Sequence, residues 1–208
     1  MKKCIIIGSS PSDVSNIIKE LDIENSYIIC ADGGLDYALK YNIKPNLVIG
    51  DFDSLQGELP NNVETIKLPT QKDDTDMMAA LKEALNRGFD DFVLLRAFSG
   101  RPDHSYANLC ALQFLCSQGC KAVIADNNGY IFILNKGKLT LNELKGRTVS
   151  VFPFGGYSCT VSYEGMKYPL DEACLTSDNP LGVSNEIISD DAYIIVHTGN
   201  AVIFLLSK

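Results

Sequence analysis

Pro45-Asn46-Leu47-Val48-Ile49-Gly50-Asp51-Phe52-Asp53-Ser54 runs from a short apolar stretch into a glycine and then two aspartates one residue apart. An apolar run of this length, stopped by Gly, reads as a buried strand, and Gly50 lets a substrate come close to the backbone. Asp51 and Asp53 then stand where the strand would present oxygen ligands to a cation. A lone D-x-D pair reads equally as a solvated turn, so its weight comes from its surroundings. Two further acidic clusters follow the same grammar. Ala31-Asp32-Gly33-Gly34 follows an apolar run over 27–31, and Lys72-Asp73-Asp74-Thr75-Asp76 stands just ahead of a helical pattern. Three such clusters argue for one shared site.

Outward from this stretch, short apolar runs alternate with helical patterns. Runs at 4–7, 27–31, 47–49, 65–68, 92–95 and 122–125 are interleaved with helical periods at 12–21, 35–41, 76–87 and 103–117. Strand and helix taking turns predicts an α/β domain, a mainly parallel sheet with flanking helices of Rossmann-like type. Ligands of such sheets sit beyond the carboxyl ends of the strands, where all three acidic clusters fall. After about Asp126 the pattern becomes short strand-like runs at 130–134, 138–141, 148–152, 158–163, 193–197 and 201–206, and Asn135-Lys136-Gly137 is expected to be a hairpin turn. The reading is therefore two domains, a catalytic α/β domain over 1–127 and an all-β, sandwich-like domain over 128–208.

The chain has 208 residues, 46% apolar and 21% charged, ordinary for a folded soluble protein. With 26 acidic against 18 basic residues the net charge is -8, which disfavours binding nucleic acid or an anionic membrane by bulk attraction. A polyphosphate among these aspartates would need a hard divalent cation such as Mg²⁺ between the two sets of oxygens. The seven cysteines are scattered, odd in number and without a C-x-x-C pair, so they are read as reduced thiols of a cytoplasmic protein. Met1-Lys2-Lys3 leads into an apolar run too brief for a signal peptide or a membrane span.

The helical period after Thr75 places Met77, Ala80, Leu81, Ala84 and Leu85 on one face, with Gly88 at the stop position. Some of the acidic cluster at its amino end would serve as caps, which accounts for one or two of Asp73, Asp74, Thr75 and Asp76 but not for all. In Gly100-Arg101-Pro102-Asp103-His104, Pro102 fits the first turn of a helix and Asp103 its cap. Arg101 stands where a guanidinium would grip phosphate oxygens, and His104 reads as either a ligand-binding or a buried, hydrogen-bonded histidine. Gly8-Ser9-Ser10 offers amides to an anion but lacks the lysine and spacing of a Walker A loop. No G-x-S-x-G or H-E-x-x-H occurs, so covalent hydrolase chemistry is unsupported.

Taken in order, A-D-G-G at 31–34, P-N-L-V-I-G-D-F-D-S at 45–54, K-D-D-T-D at 72–76, G-R-P-D-H at 100–104, G-M-K-Y-P-L at 165–170 and S-N-E at 184–186 resemble the thiamine pyrophosphokinase family. That resemblance implies an α/β nucleotide domain joined to a β-sandwich. It also implies transfer of the diphosphoryl group of ATP to thiamine, giving thiamine diphosphate and AMP. Asp51, Asp53 and Asp76 would be the catalytic and Mg²⁺-binding carboxylates, with Asp32 close by. Lys72, Asp73 and Thr75 match the adjoining substrate-binding segment. Arg101, Asp103 and His104 fall in the segment expected near nucleotide and thiamine, while Ser184 and Asn185 would meet the vitamin. The family acts as a homodimer with the thiamine pocket at the interface.

The chain departs from the family at Arg96-Ala97-Phe98-Ser99, where a more glycine-rich stretch is usual. Arg96 adds a phosphate contact there or points to solvent. With no Trp in the chain, stacking on a pyrimidine falls to residues such as Phe154, Tyr157 or Tyr163. Two rival readings are a related diphosphokinase for another alcohol, such as a hydroxymethylpterin, and a regulatory module that binds ATP without turning it over.

Overall fold

A computed structural model describes residues 1–52 and 59–208, so the expected role of Asp53 lies outside the described residues. The chain divides into two compact units, Met1–Asn127 and Asn128–Lys208.

The first unit is a mixed α/β structure. Its elements in order are β1 (Lys3–Ile7), α1 (Ser15–Glu20), β2 (Tyr27–Ala31), α2 (Gly34–Lys40), β3 (Leu47–Gly50), β4 (Glu64–Lys67), α3 (Asp76–Asn86), β5 (Asp91–Leu95), α4 (Pro102–Ser117) and β6 (Lys121–Asp126). The six strands pair in parallel in the order β6-β5-β1-β2-β3-β4. Ile5, Ile6, Ile7, Ile29, Leu47, Leu94 and Leu95 are fully buried. These continuous apolar runs suit strands covered on both faces, each large side chain contributing roughly 1.5–3 kcal/mol on burial. The helices lie over the sheet by their apolar stripes, Met77, Ala80, Leu81 and Ala84 on α3 and Leu109, Ala111, Leu112 and Leu115 on α4. One contact is very tight: a Cβ on Gly34, at the start of α2, would lie 1.9 Å from the Ile7 carbonyl oxygen.

The strand order reverses between β1 and β5. After β1 the chain adds β2, β3 and β4 on one side and then returns to place β5 and β6 on the other. The loops that leave the carboxyl ends of β1 and β5 therefore diverge, which opens a crevice between them.

The second unit is antiparallel and all-β: β7 (Gly129–Thr140), β8 (Thr148–Pro153), β9 (Ser158–Glu164), β10 (Leu170–Thr176), β11 (Asn185–Glu186) and β12 (Tyr193–Leu206). The long β12 pairs with β7 along its length, while its other edge carries β9 beside residues 193–198 and β8 beside residues 201–205. Val149, Val151, Val161, Tyr163, Ile194, Val196, Ile203 and Leu205 form its core. The hairpin expected at Asn135-Lys136-Gly137 is not there, because those residues run inside β7. The pairing slips instead between Val196 and Asn200 of β12, facing that stretch. Lys136 at φ 41°, Gly137 at φ 146° and Gly199 at φ 73° absorb the extra residues as a bulge. Turn-forming residues here bend a continuous ribbon, and the bend is where β12 exchanges β9 for β8. Tyr163 belongs to the core at 3% exposure and is not free to stack on a ligand.

Candidate active site

A cavity of about 510 Å³ opens at the carboxyl ends of β1 and β5. The first floor of it is the turn after β1, Gly8 to Pro11, braced by Gly8 N–H donating to the Leu95 carbonyl at 2.9 Å and Ser10 N–H to the Arg96 carbonyl at 3.0 Å. Asp32, just past β2, takes a left-handed φ of 45°, a conformation that aspartate adopts more readily than most side chains. Its amide donates to the Ile49 carbonyl at 2.8 Å, and the residue lines the cavity.

Lys72 joins two of the acidic clusters. Its Nζ lies 3.2 Å from Asp51 Oδ2, beyond β3, and 2.9 Å from Asp76 Oδ1, the first residue of α3. The Lys72 side chain is 15% exposed. Burial works against its charge, but the hydrogen bonds and proximity of the Asp76 and Asp51 carboxylates outweigh that and raise its pKa. Two carboxylates thus converge on a single positive charge. Among the described residues no three His, Cys, Asp or Glu side chains form a metal cage. Asp51 and Asp76 are nonetheless hard oxygen donors aimed at a common cation position, and this fits Mg²⁺, which habitually takes one or two carboxylates and completes its shell with water and phosphate oxygens.

The rest of the acidic cluster is divided. Thr75 caps α3, its Oγ1 accepting from Met78 N–H at 3.2 Å, and it also lines the cavity. Asp73 is exposed and outside the lining, and Asp74 binds Lys82 at 2.7 Å.

In the loop from β5 to α4, Arg101 and His104 line the cavity. The residue before α4 is Arg101, so Asp103 sits within the first turn and is not its cap. Asp103 instead accepts from Arg101, with Nε to Oδ1 at 3.2 Å and a second bond from Nη2 to Oδ2. The guanidinium holds the Asp103 carboxyl down at about 2. Arg101 is thereby oriented while remaining 69% exposed. The loop itself is pinned: Ser99 N–H donates to Ser105 Oγ at 3.1 Å, Ser10 Oγ to the Ser99 carbonyl at 2.8 Å, and Asn108 Nδ2 to the Ala97 carbonyl at 2.6 Å.

Sequence reasoning missed Asn108 and Tyr37. Asn108 stands one helical turn after His104, and that i, i+4 spacing was a usable signal. Tyr37, on α2, meets Arg96 with its ring 4.5 Å from the guanidinium carbon, a contact between residues 59 apart that no local pattern announces.

In the second unit, Ser184 takes φ 56° and its amide donates to Ser150 Oγ at 2.9 Å. Asn185 is buried, with Oδ1 accepting from Tyr168 N–H at 3.0 Å and Nδ2 donating to the Tyr168 carbonyl at 2.7 Å. Its amide clamps the segment that presents the exposed Tyr168 ring.

Comparison with known proteins accounts for both units. Residues 18–124 match the model of the thiamin pyrophosphokinase catalytic domain, and residues 137–203 that of the thiamin pyrophosphokinase vitamin B1 binding domain. The chain is 26% identical to a thiamine pyrophosphokinase of Bacillus subtilis over 90% of its own length and 91% of that protein. It is 24% identical to thiamin pyrophosphokinase 1 of Caenorhabditis elegans over 92% of its length and 84% of that protein. The crystal structure of thiamine pyrophosphokinase from B. subtilis shares the fold with a TM-score of 0.88, covering all of both chains at 24% identity. The Candida albicans thiamin pyrophosphokinase does so with a TM-score of 0.79 over 99% of this chain and 90% of that one. Each half of the molecule thus has its counterpart in the same enzyme, in the same order along one chain, and the chain belongs to the thiamin pyrophosphokinase family.

Proposed function

We propose that this chain transfers the diphosphoryl group of ATP to the hydroxyl of thiamine, giving thiamine diphosphate and AMP. The observation that carries the reading is the convergence of Asp51 and Asp76 on one cation position beside a cavity that also holds Arg96 and Arg101. Diphosphoryl transfer requires in-line placement of alcohol and β-phosphorus, with the phosphate charge neutralised; the protein's part is positioning and electrostatics.

Asp51 and Asp76, with Asp53 by resemblance, would hold Mg²⁺, which when bound supplies positive charge to the phosphate oxygens. Lys72, paired with both carboxylates, holds them in register. The Arg101 fork, oriented by Asp103, meets phosphate oxygens at the open side. Asp76 is assigned as acceptor of the thiamine hydroxyl proton. Asp32, Thr75 and His104 shape the cavity around the reacting groups, and Asp73 supports the neighbouring segment.

The second unit is assigned to the vitamin. Pairing of the two halves of β12 with β9 and β8 supports a sandwich-like packing there, and the clamp from Asn185 to Tyr168, with Ser184 beside it, supports a fixed recognition edge. Exposed Tyr157, Tyr168, Leu181, Val183 and Ile188 on this unit support a homodimer. Seven free cysteines support a reducing, cytoplasmic setting. No helix among the described residues is long and apolar enough to cross a membrane.

The test is AMP release from ATP and Mg²⁺ with thiamine, with hydroxymethylpterin and with no alcohol. Release with thiamine alone is expected. Release with the pterin in its place, or ATP binding with no turnover at all, would give the reaction to one of the rival readings.

A further inference from the structure

Arg96, which follows β5, lines the cavity and, unlike Arg101, is paired with no carboxylate among the described residues. Its backbone has a left-handed φ of 52°, a region that favours glycine and strains an arginine. Its guanidinium carbon lies over the Tyr37 ring, 4.5 Å from the ring centre, and Nη1 donates to the Ser12 carbonyl at 3.1 Å. Among the described residues no carboxylate lies within ion-pair distance of it. Asp13, the carboxylate whose charge acts on Arg96, is engaged at the start of α1, where its Oδ1 accepts from Ser15 N–H at 2.9 Å.

Three polar atoms in this cluster are buried with no hydrogen-bond partner: Arg96 Nε, Ser12 Oγ and Tyr37 Oη. Ser12 and Tyr37 are 5% and 9% exposed. Native proteins rarely leave such groups unmatched, and a cluster of them beside a cavity marks the place of a missing polar ligand. A half-buried cation with spare donors selects an anion. An arginine serving only the fold would have its Nε satisfied and would not require a strained backbone.

We infer that Arg96 is a binding residue for the phosphates of the nucleotide, its guanidinium held by Tyr37 and the Ser12 carbonyl to receive a phosphate oxygen of ATP. The inference rests on the reading of ATP as the diphosphoryl donor. Asp32 and Asp76 line the same cavity and repel a polyphosphate. Arg96 supplies a cation from the β5 side that the Asp51–Lys72–Asp76 group does not.

Arg96→Gly separates binding from folding, because it removes the side chain while relieving the left-handed strain. Binding of ATP with Mg²⁺ and without thiamine, measured by calorimetry, should weaken about ten- to a hundredfold, the range of a lost charge-assisted hydrogen bond. KM for ATP should rise in step, KM for thiamine should hold within about twofold, and the melting temperature should stay level or rise. Inorganic pyrophosphate, competing with ATP, should lose affinity in the same proportion. Arg96→Lys, which retains the charge without the planar fork, should recover part of the loss. A lower melting temperature with unchanged ATP affinity would make Arg96 a structural pin and overturn the inference. Weakened adenosine binding with unchanged pyrophosphate binding would overturn the phosphate assignment. Because these bindings are read without thiamine, they are independent of whether wild-type protein turns thiamine over, which alone decides the proposed reaction.

Discussion

Lys72 Nζ and Asp76 Oδ1 are 2.9 Å apart, one helical turn from each other in sequence, and the same ammonium reaches Asp51 at 3.2 Å. The lysine is in the loop before α3 and Asp76 is its first residue, so the pair ties the helix start to the end of β3. A cation is thereby built into the place where two carboxylates would otherwise repel each other.

Asp76→Asn keeps the shape of this contact but removes a negative charge and a proton acceptor. Steady-state AMP release at saturating Mg²⁺ should fall by about a hundredfold or more, the size expected for loss of a positioned acid–base group. A near-normal rate would remove Asp76 from its assigned role.

The Arg101–Asp103 pair is exposed on both sides, so its mutual attraction is screened and adds little to stability. Asp103 has its carboxyl lowered from 3.8 to about 2, so any stabilisation is complete above about pH 4 and fades as the pH falls through 2. Asp103→Asn should therefore melt in parallel with wild type between pH 4 and 7, while KM for ATP rises because Arg101 has lost its orienting partner. Thermal melts across that pH range and a KM measurement check both halves.

Gly34→Ala would force a methyl group to within 1.9 Å of the Ile7 carbonyl oxygen. Neither backbone can retreat without moving β1 against α2. The variant should lose at least about 2 kcal/mol in urea unfolding, toward the severe end of overpacking, or fail to accumulate as folded protein.

Asn185→Ala deletes both hydrogen bonds to the Tyr168 backbone. Loss of about 1–3 kcal/mol is expected for each buried group left unpaired. On the assignment of this unit to the vitamin, KM for thiamine should rise more than KM for ATP, and kinetics with each substrate varied in turn will tell.

Local signals were readable where the deciding contacts are local. The apolar spacing from Met77 to Ala84, with Thr75 before it, describes α3 to within a residue of its observed ends, because cap and stripe are properties of one helix. Pro102 likewise marks the start of α4, but Asp103 was misread as its cap because the competing partner, Arg101, is decided by side-chain geometry. Asn135-Lys136-Gly137 has turn-forming chemistry, yet its strand partner lies some sixty residues onward, and pairing with β12 turns the same residues into a bulge. The acidic clusters were expected to meet, and their meeting is partial: Asp51 and Asp76 share Lys72, Asp32 lines the cavity, and Asp73 stays outside it. The Arg96, Tyr37 and Ser12 cluster joins loops after β5 and β1 to α2, so only the tertiary fold could disclose it.

The bulge that lets β12 exchange partners also orders events in time. β7, β8 and β9 all precede β12 in the chain, and each depends on it for a hydrogen-bonded edge. During synthesis those three strands leave the ribosome with open flanks that stay adhesive until β12 arrives. The first unit has no such dependence, since all its strands pair among themselves. A growing chain would then carry a finished first unit while its second unit still needs shielding from neighbouring chains.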